Sequence, residues 1–95
     1  MDNSKLRRLE LQITSTIPLI EREYNNNPSD MVRLIHKRFI DAQNILKNRN
    51  KREVAKEDFY LDGSSRAFLE VSSDYGCLLL EELGKAEKIF VEVFS

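Results

Sequence analysis

A ladder of apolar residues runs through the last third of this chain. Phe68, Val71, Tyr75, Leu79, Leu83, Ala86, Phe90 and Val93 recur at steps of three and four, the spacing of one face of an α-helix. Two earlier stretches keep the same period, and only Asn25-Asn26-Asn27-Pro28 and Asp62-Gly63 break the chain strongly. An amphipathic helix must hide its apolar stripe against something. Three such stretches in 95 residues therefore predict an all-α fold, a small antiparallel bundle of three or four helices in one domain spanning 1–95.

Ser4 to Tyr24 reads as the first helix, with Leu6, Leu9, Ile13, Ile17, Ile20 and Tyr24 on one stripe. Pro18 lies inside it and lacks the N–H that would bond four residues back, so a kink near Thr14 to Ile17 is expected. The stripe stays in phase on both sides, which argues against a break. Asn27-Pro28-Ser29-Asp30 reads as a helix start, with Asn27 as the cap and Pro28 in the first turn. The second helix carries Met31, Ile35, Phe39, Ala42 and Leu46, and Val32, Leu34, Ile40 and Ile45 widen its stripe. It ends near Asn48 or runs on to about Tyr60.

Asp62-Gly63 marks a turn in which Gly63 takes a positive φ, and Ser64 or Ser65 is placed to cap the next helix. A break at Ser72-Ser73-Asp74-Tyr75-Gly76 gives four helices; an unbroken last helix gives three. The alternative is an α+β fold. Phe59-Tyr60-Leu61 and Ala67 to Val71 would then pair around Asp62-Gly63, and Ile89 to Phe94 is rich in strand formers. The sustained three-four spacing from Phe68 to Val93 favours the helical reading.

No stretch approaches the roughly 20 apolar residues of a membrane span. The N-terminus has no apolar run behind its charges, so a secretory signal is not expected. One cysteine closes no internal disulfide. These features point to a cytoplasmic protein. The net charge of −1 is unevenly spread: residues 1–56 hold 12 Lys+Arg against 7 Asp+Glu, and residues 57–95 hold 3 against 9. Helices from the two halves should attract when packed side by side, modestly so where exposed.

Catalytic chemistry finds little footing. His36, the one histidine, sits at the border of an apolar stripe without partner ligands at metal-binding spacing. Cys77 precedes three leucines, near Asp74, Glu81 and Glu82 rather than cations that would activate a thiolate. Adjacent carboxylates such as Glu81-Glu82 diverge on a helix. Isolated glycines form no phosphate loop, and no zinc, calcium or nucleophile-elbow spacing occurs. No enzyme activity and no cofactor are expected.

Two surfaces remain. Lys47, Arg49, Lys51, Arg52 and Lys56 form a basic cluster suited to phosphate contacts, though no aromatic residue is interleaved for base stacking. Ile89, Phe90, Val91, Val93 and Phe94 put apolar groups almost all round the last helix, more than one core-facing stripe uses. The expectation is thus a non-enzymatic protein-interaction module of adaptor, regulator or toxin-neutralising type. Phe90, Val91 and Phe94 would form its partner interface, with another protein or with a second copy as a homodimer. The alternative is a nucleic-acid-binding regulator that uses the basic cluster. No stretch carries a motif that ties the chain to a known family.

Overall fold

The structure is a computed structural model and describes residues 3–48, 59, 61, 63–70 and 78–94. Four helices appear among them, in the order α1 (Asn3–Asn26), α2 (Asp30–Lys47), α3 (Ser64–Leu69) and α4 (Leu78–Phe94). The all-α expectation of a small helical bundle holds; the break at Ser72 to Gly76, on which the choice between three and four helices turns, lies outside the described residues. The α+β alternative does not hold. Residues 64–69 and 78–94 are helical, and no strand occurs among the described residues. Gly63 adopts φ 84°, but it turns the chain into α3 rather than closing a hairpin. An Asp-Gly hairpin loop also needs flanking segments of period two, which Ala67 to Leu69 do not supply.

The α1 stripe does what its spacing implies. Leu6, Leu9, Ile13, Ile17 and Ile20 are buried, and Tyr24 packs at the margin. Thr16, not anticipated as a core residue, is fully buried beside them. Its hydroxyl donates to the Gln12 carbonyl at 2.7 Å and accepts from the Gln12 amide, so its polarity is met within its own helix. The helix runs unbroken through Pro18. Pro18 and Thr14 both lie on the solvent side, so water can reach the carbonyl that the proline leaves without its donor.

The start of α2 corrects one sequence expectation. Ser29, not Asn27, is the cap: its backbone is extended and its hydroxyl accepts from the Val32 N–H at 3.1 Å. Asn27 instead ends α1, its N–H bonding the Glu23 carbonyl. Pro28 therefore lies in the link, with Asp30 as the first helical residue. At the far end Lys47 closes α2 and Asn48 caps it. Val32 replaces Met31 on the buried stripe with Ile35, Phe39, Ala42 and Leu46.

The cap of α3 is a second correction. Gly63 occupies the cap position without a side chain, and the Ser64 hydroxyl donates backwards to the Leu61 carbonyl at 2.7 Å. The Ser65 N–H is bonded by a carboxylate from another helix, that of Glu87. A remote acid at a helix start meets both the free N–H groups and the positive end of the dipole.

Helix α1 is the hub. It packs against α2 on one side and α4 on the other, while α3 rests chiefly on α4 and also touches α2. Both of its seams are antiparallel. Glu21 and Thr14 meet His36 and Gln43 on α2, and Arg8 and Gln12 meet Glu92 and Glu82 on α4. Burying a Leu, Ile or Phe contributes about 1.5–3 kcal/mol each, whereas an exposed ion pair contributes about 1 kcal/mol or less. The apolar stripes decide the fold, and the polar seams tune its register.

Candidate functional site

The outer side of the α1/α4 seam forms an open groove of about 660 Å³. Ile89 and the half-buried Gln12 form its floor, Leu11 and Ser15 one wall, and Arg8, Lys85 and Lys88 its charged rim. Leu11 falls outside the α1 core stripe and is 58% exposed. Leu78 precedes Lys85 by about two helical turns on the same face of α4 and is 57% exposed.

The groove wall carries three cations and no carboxylate. Arg8 reaches Glu92 at 3.2 Å, and Lys85 reaches Glu82 at 2.9 Å. Lys88 has no ion-pair or hydrogen-bond partner among the described residues. Of the three cations in the acidic half of the chain, Lys85 and Lys88 both stand here. The expected attraction between the two halves is present in the Arg8–Glu92 pair across the seam. Glu82 sits between the Lys85 ammonium and the Gln12 amide, and hydrogen bonds from both hold its carboxyl below the usual glutamate range. The same contact holds Lys85 above the usual lysine value.

The residues singled out from sequence fall apart in space. Phe90 is 2% exposed and belongs to the core. It packs edge-on to Phe59 with centroids 5.8 Å apart, and Phe94 lies against both rings. Part of the excess apolar surface of α4 is thus taken up by Phe59, which precedes α3 in the chain and packs on both Phe90 and Phe94. Phe94 stays partly covered, and Val91 alone of that trio is well exposed, at 53%. It lies round the helix from the groove. In the basic cluster Lys47 is exposed at the end of α2, and Arg49, Lys51, Arg52 and Lys56 lie outside the described residues. So do Cys77, Tyr60, and the Ser72 to Gly76 break.

His36 is at the core margin as expected, bonded through Nε2 to Glu21 at 3.0 Å. Among the described residues no three His, Cys, Asp or Glu side chains converge as metal ligands. Periodicity alone makes the groove residues solvated sides of helices. The signal that sets them apart is the pair of leucines, Leu11 and Leu78, that no core stripe uses.

A small helical bundle with α1 at its centre and a cationic groove on the α1/α4 side is the class of molecule that this fold defines. The chain belongs to the YeeD family: the profile described as "YeeD uncharacterised protein" matches residues 3–94. "Uncharacterized protein YeeD" of Bacillus subtilis (strain 168) is 32% identical over 90 residues, covering 90% of this chain and 89% of its own length. No solved structure matches the chain.

Proposed function

We propose that this protein is a non-enzymatic module that binds another protein, in the cytoplasm, through the α1/α4 face. The observation that carries this reading is that Leu11, which lines the groove, and Leu78, which helix phase puts on the face of α4 that carries Lys85, are each more than half exposed. An exposed apolar pair beside an open groove favours a macromolecular surface over a small ligand. A small-molecule pocket encloses most of its ligand, and of the lining residues Ile89 alone is buried. Self-association through α4 would engage Val91 and the outer part of Phe94, since Phe90 is committed to the core.

The test is capture from native extract with the unmodified protein and with Leu11→Asp, each checked for helix content. A partner retained by the first and lost by the second supports the reading. Retention of no protein by either, across a range of salt, overturns it.

A further inference from the structure

The groove also constrains what kind of protein fits it. We propose that its occupant is an acidic amphipathic α-helix of a different protein, laid along the α1/α4 seam. This rests on the protein-binding reading and goes further in naming the chemistry of the partner.

Two antiparallel helices in contact leave a furrow that a third helix fills by ridge-into-groove packing. From Leu78 to Lys88 the face runs about 15 Å along α4, so three turns of a partner helix span it. Apolar residues on the inner side of that helix would cover Leu11 and Leu78. Carboxylates on its flanks would meet Arg8, Lys85 and Lys88. Glu92 and Glu82 stand behind Arg8 and Lys85, and Glu81, one turn before Lys85 on the same face of α4, moderates the charge further; Lys88, which has no partner among the described residues, is the cation that a partner carboxylate would meet.

A second copy of this chain fits poorly. A two-fold pairing through this face would gather Arg8, Lys85 and Lys88 of both copies into one interface, where Glu92 and Glu82 are already engaged by Arg8 and Lys85 and Glu81 is left to answer the rest. A nucleic acid would use the cations but leave Leu11 and Leu78 against a charged backbone.

Selection from a displayed library of amphipathic helices, with acidic, neutral and basic flanks around one apolar stripe, tests the proposal. The unmodified protein should enrich acidic flanks. A chosen acidic peptide should bind about tenfold more weakly to Lys88→Glu, a change at an exposed position that leaves the core untouched, and bind more tightly as salt falls. Enrichment of neutral or basic flanks, or of nothing, overturns the acidic-helix proposal. So does Lys88-dependent binding of duplex DNA in a parallel titration, or a concentration-dependent dimer that Leu11→Asp abolishes. A partner captured from extract in a Leu11-dependent way, yet indifferent to Lys88→Glu and to salt, leaves protein binding standing and removes only the acidic helix.

Discussion

Glu21 and His36 meet across the α1/α2 seam, the imidazole Nε2 lying 3.0 Å from the carboxylate. Gln43 donates to Thr14 at 3.1 Å, about two helical turns further along each helix in opposite directions. The two contacts therefore lock one antiparallel register. Both partners of the first are substantially exposed. Glu21→Gln and His36→Ala should each lower stability by less than about 1 kcal/mol, with a coupling energy of similar size in a double-mutant cycle. Urea unfolding of the four proteins measures it. A loss of several kcal/mol would mean that the seam, not the apolar stripe, holds α1 to α2.

Phe90 and its neighbour Val91 give opposite expectations. Phe90→Ala opens a cavity among Phe59, Phe94 and the core and should cost about 3–5 kcal/mol. Against the roughly 5–15 kcal/mol that hold a domain together, that is a large share. Val91→Ala, on the exposed side, should stay within about 0.5 kcal/mol. Thermal unfolding of the two variants separates a core role from a surface role, and equal effects would show that the two side chains share one environment.

Gly63 and Gly84 should respond oppositely to alanine. Neither position has a heavy atom within 4 Å of an added Cβ, so space does not decide. Backbone conformation does. Gly63 sits at φ 84°, where an L side chain costs about 1–2 kcal/mol. Gly84 is inside α4, where alanine is favoured by about 1 kcal/mol. Gly63→Ala should lower the unfolding midpoint and Gly84→Ala should raise it.

Glu82 links the groove to pH. Its carboxyl is held low by the hydrogen bond from Lys85 and then by that from Gln12. A group depressed in the folded state stabilises above its unfolded value, and that contribution is lost as pH falls through the folded value. Glu82→Gln should therefore flatten the acid side of the stability profile, below the ordinary glutamate range, and narrow the gap to the unmodified protein as pH drops. Lys85 runs the other way: its raised value stabilises below the ordinary lysine range and is lost as pH climbs through the folded value. An unchanged acid limb in Glu82→Gln, followed by urea midpoints from neutral to acidic pH, would count against the hydrogen bonds to Glu82.

Local spacing determined a good deal by itself. The three-four recurrence of Leu6, Leu9, Ile13, Ile17 and Ile20, and of Leu79, Leu83, Ala86 and Phe90, specified which face of each helix is buried, because helical geometry ties sequence interval to direction. Gly63 at a positive φ was equally legible, since a turn there needs a residue without a Cβ. Tertiary packing decided the rest. Several polar residues near a helix start compete as caps, and Ser29 prevailed over Asn27 only once α1 had run on to Asn26. Glu87 as the partner of Ser65 could not be read from a separation of 22 residues, because nothing local brings them together. The same holds for Phe90: periodicity made it apolar and inward, but only the fold supplied Phe59 to cover the end of its helix. The groove likewise exists only where Arg8 and Leu11 come beside Lys85 and Lys88, from opposite ends of the chain. A helix period fixes directions around one axis, and a site between two axes is set by how those axes pack.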